Sequence, residues 1–502
     1  MQKTLAKLCL NCFRNAIIRP SSRSPTSASI YAMPRRLKHS VTSTSPPPPT
    51  IYALSSSPGK AGVAVIRVSG SNARRAVESM TNIPDLKARH AFFRRIRHPL
   101  TREALDRGLL LWFPGPNSFT GEDIVEFHVH GGNAVVRSVL DALGSLEGFR
   151  MAEQGEFARR AFDNDKADLT ELEGLADLLN AETEAQRQLA LRQAEGGLRK
   201  PYEKWRSQII NCMATTEAVI DFGEDENIDE GALEKVFEDI QQLRSDISAH
   251  LNDSRVGEIV RNGLRVAILG PPNAGKSTLL NLLAAREAAI VSDIPGTTRD
   301  IVEVSLDLGG YPVILSDTAG IRESQDAIEM EGVKRALKRS EMADIKICLL
   351  PFTDNLQIDP SLQQVLDKDT LLILTKKDLI SGPVEDDVLQ SIQNRTGVRR
   401  VWAISCKTGL GVSQFLQDMI DMLKQTFDKA ASSPAIITQA RHRYHLEQCL
   451  DCLETFLDMP KDDVVLAAEE LRQAANSIGR ITGRVDVEDV LDVLFSQFCI
   501  GK

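Results

Sequence analysis

The sequence predicts a multidomain chain: an α+β N-terminal domain, an α-helical domain, and an α/β domain inserted into the helical one. Three observations predict it. Strand-type runs alternate with turn residues from Ile51 to about Asp165. Apolar residues then recur at three- and four-residue spacing on both sides of a central block. That block instead holds short apolar runs separated by helix-length segments, the texture of a mostly parallel sheet covered on both faces. At 502 residues and 42% hydrophobic content the chain can fill several cores.

Residues 1–49 stand apart and are expected to be a transit peptide. They carry eight basic residues, no acidic one, and a Ser/Thr/Pro-rich stretch ending in Pro46-Pro47-Pro48-Pro49. An Arg- and Ser-rich, acid-free start is the pattern of an organellar targeting segment. Subtracting this +8 from the formal −9 of the whole chain leaves −17 for the remainder. So acidic a body does not bind phosphate backbones by bulk electrostatics. Contact with nucleic acid must be local or come through a partner. Arg94, Arg95, Arg97 and His98, and Arg441, His442 and Arg443, are the local basic stretches, read as solvated faces before RNA contacts.

From 50 to 165, Ala64 to Val68 and Leu109 to Phe113 are strand-type runs, the latter stopped by Pro114-Gly115-Pro116-Asn117; Asp123 to His130 alternates apolar and polar residues. From 166 to 260, Leu169, Leu172, Leu175, Ala176 and Leu179 mark a helix, an acidic break spans Asp221 to Gly231, and a helix follows from about Ala232 to Asp253. From 261 to 428, Leu264 to Leu269, Val313 to Leu315, Ile345 to Leu350, Leu371 to Leu374 and Val401 to Ile404 are buried-type strands. Val302 to Leu308 followed by Gly309-Gly310 predicts one antiparallel hairpin. From 429 to 502 the pattern is helical again, with turns expected near Met459-Pro460 and over Gly479 to Gly483. Cys449-x-x-Cys452 lies in a helical pattern without a second pair at zinc spacing. No apolar run reaches the roughly 18 residues of a membrane span, so stable membrane insertion is not expected.

Chemistry concentrates in the central block. Gly270-Pro271-Pro272-Asn273-Ala274-Gly275-Lys276-Ser277 matches the phosphate loop G-x-x-x-x-G-K-[ST], follows a strand and opens a helix. Asn273, Ala274, Gly275 and Thr278 would lie along the phosphates, with Lys276 on the β- and γ-phosphates and Ser277 on Mg²⁺. Asp317-Thr318-Ala319-Gly320 ends a strand; Asp317 can hold the Mg²⁺ shell and the Gly320 amide can face the γ-phosphate. Gly296-Thr297-Thr298-Arg299-Asp300 offers a further hydroxyl to the metal. In Thr375-Lys376-Lys377-Asp378, Asp378 can accept two hydrogen bonds from the guanine edge, which adenine cannot match; Ser405-Cys406-Lys407 would pad the base. Four such matches in order, each just after a strand, predict a P-loop GTPase that binds GTP and Mg²⁺. Thr375 stands where the base-reading motif usually has Asn, and looser contacts around the base are expected. Ile321 stands where Ras-like GTPases carry a water-orienting Gln, so catalytic help must come from elsewhere.

The phosphate loop with Asn273, the Gly-Thr-Thr-Arg-Asp segment and Asp-Thr-Ala-Gly-Ile together resemble the potassium-activated GTPases. Three further segments narrow this: Pro114 to Asp123, Gly155 to Phe162 with Lys166 to Thr170, and Phe498-Cys499-Ile500-Gly501-Lys502. With them the chain resembles the tRNA uridine-modification GTPases, the MnmE/TrmE family, in a mitochondrial form, from about Ile51 onward. The resemblance implies a folate-binding N-terminal domain that forms a homodimer, and GTPase domains that pair across K⁺. It implies K⁺ ligation by Asn273 with Ser292, Ile294 and Thr297, and Mg²⁺ ligation by Thr298 beside Ser277 and Asp317. It makes Glu329, Lys276 and Thr298 catalytic, with Glu329 positioning the attacking water. It implies contacts from Arg67, Glu126, Lys166 and Lys502 to 5-formyl- or methylene-tetrahydrofolate, and it places Cys499 as a reactive or simply buried thiol. It implies a flavin-dependent tRNA-modification subunit as partner and mitochondrial tRNA as substrate, in the matrix. The product is a carboxymethylaminomethyl-type group on carbon 5 of the wobble uridine, position 34, with glycine or taurine as the amine. The rival expectation is a ribosome-assembly GTPase that binds rRNA without modifying it; it shares the nucleotide motifs but would not require the folate-type segments.

Overall fold

The computed structural model describes residues 48–501 apart from 84, 223–230, 254, 272, 287, 291–302, 318–342, 353–362, 364–365, 381–385, 432–435, 461–462, 486–487, 497 and 499.

The first sheet is built from β1 (Thr50–Leu54), β2 (Ala61–Ser69), β3 (Phe92–Arg97), β4 (Ala104–Phe113), β5 (Ile124–Gly131) and β6 (Phe149–Met151), in the order β3-β4-β5-β2-β1-β6. All neighbours are antiparallel except β1 and β6. Period-two alternation decides what each face carries. Ile66, Val68, Val125 and Phe127 point to one face and bury under α1 (Ala73–Met80) and α2 (Asn133–Gly144), which supply Val77, Met80, Val139 and Leu143. Arg67, Glu126 and His128 therefore share the opposite face, where Arg67 sits directly across from Glu126 in the β2–β5 register. A smaller cluster of Ile51, Ala53 and Phe157, with Phe119 packed on it, lies there too, and Phe157 comes from α3 (Glu156–Asp163).

The helical domain starts with α4 (Leu169–Leu179), whose N-cap Asp168 forms a capping box with Glu171, and α5 (Glu184–Ala194), capped the same way by Thr183 and Gln186. It continues through α6 (Arg199–Phe222), α7 (Gly231–Leu251) and α8 (Val256–Asn262). The chain then leaves for the second sheet and returns as α12 (Ala440–Asp458), α13 (Val464–Thr482) and α14 (Glu488–Phe495). One core joins the two halves: Tyr202, Ile209, Ile240, Leu243 and Ile247 pack with Leu446, Leu453, Phe456, Leu471 and Ile478. The α/β domain is thus an insertion, because neither helical half buries its apolar stripe alone. Cys449 of α12 is fully buried in this core.

Two features of the helical domain differ from expectation. The turn predicted over Gly479 to Gly483 begins only at its last residue: α13 runs through Gly479 and stops at Gly483, whose φ of 85° provides the left-handed C-cap. Gly479 sits close against the following turn: a Cβ there would lie 3.0 Å from Val485 Cγ2. Second, Arg441, His442 and Arg443 are neither a solvated face nor an RNA contact. His442 is fully buried and Arg443 is 9% exposed. They bond inward, Arg441 and His442 to Glu173 and Arg443 to Asp253 and Glu258. Their charges hold helices together. Arg94 and Arg95 on β3, by contrast, are exposed.

The inserted sheet contains β7 (Leu264–Leu269), β8 (Ala288–Ile290), β9 (Glu303–Leu308), β10 (Tyr311–Asp317), β11 (Ile345–Pro351), β12 (Thr370–Thr375) and β13 (Arg400–Ala403), ordered β13-β12-β11-β7-β10-β9-β8. It is parallel from β13 to β10; β9 and β8 are antiparallel additions. Every residue of β12 is buried, as a strand covered on both faces requires. The described covering helices are α9 (Lys276–Arg286), α10 (Asp386–Thr396) and α11 (Val412–Ala431). The predicted hairpin is present, with Gly309 and Gly310 at φ 63° and 94° forming a two-residue turn.

After α14 the chain returns to the first sheet. Leu491, Leu494, Phe495 and Phe498 pack on Ala158 and Phe162 of α3 and on Leu169 and Leu172 of α4. Ile500 bridges to Gln154. Gly501 reaches the face that carries Arg67.

Candidate functional site: a phosphate loop tied to a base-reading turn

The phosphate loop connects β7 to α9. Gly270 has φ 145° and lies so close to β11 that a Cβ would come within 2.3 Å of the Leu349 carbonyl oxygen. Asn273 is left-handed at φ 59° and Gly275 has φ 96°. A Cβ at Gly275 would meet nothing, so the loop leaves open space over the start of α9. Backbone N–H groups at a helix N-terminus attract anions. Lys276 is 8% exposed, and its ammonium donates to the carbonyls of Gly270 at 2.8 Å and Pro271 at 2.9 Å. Ala274 is buried, whereas Ser277 and Thr278 are exposed on the first turn of α9. Asp317 closes β10 and pairs in register with Ile268 of β7, two residues before Gly270.

The second half of the site follows β12 and β13. Thr375 is buried, and its hydroxyl donates to the Ala274 carbonyl at 2.7 Å. Lys376 is left-handed at φ 61° and turns the chain into a single 3-10 turn, Lys377–Leu379. The Lys377 N–H donates to the carbonyl of Ile404 at 3.1 Å, holding this turn beside the loop after β13. There the buried Ser405 hydroxyl donates to Asp378 Oδ1 at 2.5 Å. That bond, followed by Lys407 and Lys376, keeps the Asp378 carboxyl below its ordinary range. Cys406 is half-buried, and burial together with Asp378 pushes its thiol up. Lys407 is exposed.

The structure therefore brings Asn273, Ala274, Gly275, Lys276, Ser277 and Thr278 together with Thr375, Lys376, Asp378, Ser405, Cys406 and Lys407. Ser292, Ile294, Thr297, Thr298, Thr318, Ala319, Gly320 and Glu329 lie outside the described residues.

A second constellation lies on the first sheet. The Arg67 Nε and Nη2 donate to Glu126 Oε1 at 3.1 and 2.9 Å, and Nη1 reaches the Gly501 carbonyl at 3.5 Å. The guanidinium carbon sits 5.7 Å from the Phe119 ring centre and 5.9 Å from that of Phe157. His128 Nε2 lies 3.3 Å from Glu126 Oε2. Burial alone would raise the Glu126 carboxyl, but His128 and Arg67 outweigh it and hold it below its ordinary value. Ser55 also donates to the Gly501 carbonyl, at 3.0 Å. Lys166 is exposed and its chain runs along Gly121, whose added Cβ would lie 3.1 Å from Lys166 Cε. Lys502 and Cys499 lie outside the described residues. Phe119, Phe157 and His128 were not singled out from the sequence. His128 could have been, since it lies two residues from Glu126 and so shares its face.

Comparison with known proteins decides the family. Residues 50–166 match the pattern described as the GTP-binding protein TrmE N-terminus, and residues 169–499 match the MnmE helical domain. The chain belongs to the MnmE/TrmE family. Among its relatives, the mitochondrial 5-taurinomethyluridine-[tRNA] synthase subunit GTPB3 of Danio rerio is 48% identical, covering 90% of this chain and 93% of the relative. The tRNA modification GTPase MnmE of Parvibaculum lavamentivorans is 50% identical, covering 90% of this chain and 100% of the relative. The Homo sapiens GTPB3 is 45% identical, covering 93% and 97%. This MnmE/TrmE chain is accordingly a GTP-hydrolysing enzyme of tRNA modification. Among the described residues no helix is long and apolar enough to cross a membrane.

Proposed function

We propose that this chain is a mitochondrial-matrix GTPase that works with a flavin-dependent subunit to place an aminomethyl-type group on carbon 5 of the wobble uridine of mitochondrial tRNAs. The observation that carries this reading is its likeness, over nine-tenths of the chain, to proteins named for 5-taurinomethyluridine synthesis on tRNA. That product name makes taurine a candidate amine beside glycine.

The nucleotide would lie along the loop from Asn273 to Thr278, with its triphosphate at the N-terminus of α9. Lys276 would leave the two carbonyls it now touches and meet the β- and γ-phosphates. Asp378, already oriented by Ser405, would accept the two guanine N–H groups. The oxygen donors of Ser277, Thr298 and Asp317 suit Mg²⁺, which when bound neutralises charge on the β- and γ-phosphates. Asn273, Ser292, Ile294 and Thr297 would hold K⁺, which when bound supplies the positive charge that other GTPases take from an arginine. Glu329 would orient the attacking water, since Ile321 has no polar group.

On the first sheet, Arg67, Glu126, Lys166 and Lys502 would bind a formyl- or methylene-tetrahydrofolate that carries the one-carbon unit. The exposed Lys166 and the Arg67 guanidinium suit its carboxylates, and the half-buried Phe119 suits its flat ring. Homodimerisation through this domain and a flavin-dependent partner complete the proposal. The acidic body fits a partner that carries much of the tRNA affinity.

The test is mass spectrometry of nucleosides from mitochondrial tRNA in cells with and without the protein. The proposal expects the wobble-uridine modification to vanish without it. An unchanged modification, with a ribosome-assembly defect in its place, would favour the rRNA-binding alternative.

A further inference from the structure

The tip of the β9–β10 hairpin does not end in solvent. The Gly310 carbonyl accepts the backbone N–H of Ala185 at 3.0 Å. Ala185 is the second residue of α5, and its N–H is one of the donors that a helix start leaves unpaired. A turn in the α/β domain thus caps a helix of the helical domain. The neighbouring contacts are close. A Cβ on Gly309 would come within 2.6 Å of Ile420 Cγ2 on α11, so side-chain bulk cannot enter. Tyr311, the first residue of β10, stacks on Phe427 of α11 with ring centres 5.2 Å apart. Ala185 and Leu189 of α5 pack against the α/β core itself. The Gln186 side chain of α5 ties to the Arg261 carbonyl near the end of α8, at 3.0 Å.

Two further facts give this joint a direction. β10 runs without interruption from Tyr311 to Asp317, the acidic residue that opens the Asp-Thr-Ala-Gly motif, and pairs from Val313 to Asp317 with β7, which leads into the phosphate loop. Seven residues at about 3.3 Å each make this a rod of roughly 23 Å. Beside the turn lies a cleft of about 240 Å³, lined among others by Leu189, Val260, Tyr311, Phe427 and Ile436. The cleft opens to solvent, so the joint lies at the edge of the packed core rather than inside it.

We propose that the Gly310–Ala185 contact is the joint through which the nucleotide state at the Asp317 end of β10 is transmitted to the helical domain. β10 acts as the rod, the Gly309–Gly310 turn as its tip, and the capped first turn of α5 as the receiving element. Coupling of this kind is reciprocal: loosening the joint changes how differently the chain responds to GDP and to a GTP analogue. The inference rests on nucleotide binding at the phosphate loop.

The experiment is hydrogen exchange on the full chain, without nucleotide, with GDP and Mg²⁺, and with a non-hydrolysable GTP analogue, Mg²⁺ and K⁺. Protection of 277–283 on α9 reports nucleotide binding independently. Protection of 186–192 on α5 reports the joint. The inference expects α5 exchange to differ about fivefold or more between the two nucleotide states. It expects Ala185→Pro to abolish that difference while leaving α9 protection intact; proline in a first helical turn removes only an N–H that the helix itself does not use. Phe427→Leu, which keeps the hydrogen bond and removes the ring stack, is expected to reduce the difference. If α9 responds to nucleotide and α5 does not, or if α5 responds equally in both variants, the joint is not the route. If α9 fails to respond in the wild type, nucleotide binding itself is refuted.

Discussion

The Thr375 hydroxyl donates to the carbonyl of Ala274 at 2.7 Å, joining two loops that lie 101 residues apart in the chain. Thr375 ends β12 and Ala274 sits in the phosphate loop, so one buried bond fixes the spacing between the base-reading turn and the phosphate cradle. The sequence led us to expect looser contacts here because Thr replaces Asn. The tie runs to the phosphate loop rather than to the base.

Thr375→Val keeps the shape of the side chain but strands the buried Ala274 carbonyl. We expect a stability loss of about 1–3 kcal/mol and weaker binding of GDP and GTP alike. Chemical denaturation and nucleotide titration check this together. Unchanged nucleotide affinity would show that the tie does not position the site.

GTP turnover is expected to require K⁺ and to fall about 100-fold when Na⁺ replaces it, because Ile321 offers the water nothing and the missing charge must be supplied beside Asn273. Glu329→Ala is expected to slow hydrolysis while nucleotide binding persists. Steady-state turnover in the two salts, with a separate binding titration, decides both. Equal rates in Na⁺ and K⁺ would remove the ion from the mechanism.

Much of this was legible before any coordinates. β7, β11 and β12 are short, mostly apolar runs, interrupted only by Arg265 in β7 and Lys346 in β11 and flanked in β12 by Thr370 and Thr375, and their shortness between turn signals marks them as strands rather than helices. The phosphate loop was legible because its glycines and lysine are fixed by backbone geometry. The Arg441-His442-Arg443 cluster was misread because its acidic partners Glu173, Asp253 and Glu258 lie 185 or more residues away. Charge in a sequence carries no mark of burial. The Arg67–Gly501 contact was hidden for the same reason, spanning 434 residues. Gly479 misled because a helical glycine in close contact with its neighbours looks like a turn glycine.

The buried cluster yields a pH prediction. Glu173 accepts from His442 at 2.7 Å and Arg441 at 2.8 Å. Burial alone would raise its carboxyl, but His442 and Arg441 override this and hold it at about 2. His442 is itself pulled below its ordinary value by burial. A carboxyl lowered on folding contributes stability that is present above its unfolded value of 4.5 and is lost as pH falls toward 2. Urea unfolding at about pH 5 and about pH 3 should show a shallower loss for Glu173→Gln than for the wild type. At neutral pH that variant should be less stable by about 3–5 kcal/mol. An identical pH slope in both proteins would contradict the assignment.

Arg67→Ala removes a guanidinium that touches Glu126, two aromatic rings and the Gly501 carbonyl. We expect binding of 5-formyltetrahydrofolate to weaken about tenfold or more, with GTP turnover unchanged. Fluorescence or calorimetric titration measures the first and a phosphate-release assay the second. Unaltered folate binding would remove Arg67 from that site.

We propose that GTP hydrolysis at the phosphate loop drives uridine chemistry on tRNA. The most direct test is nucleoside mass spectrometry on mitochondrial tRNA from cells that lack the protein and receive either the wild type or Lys276→Ala at equal abundance. The wild type is expected to restore the wobble-uridine modification, and the variant, stripped of the phosphate-loop ammonium, is not. Full restoration by Lys276→Ala would contradict the proposal.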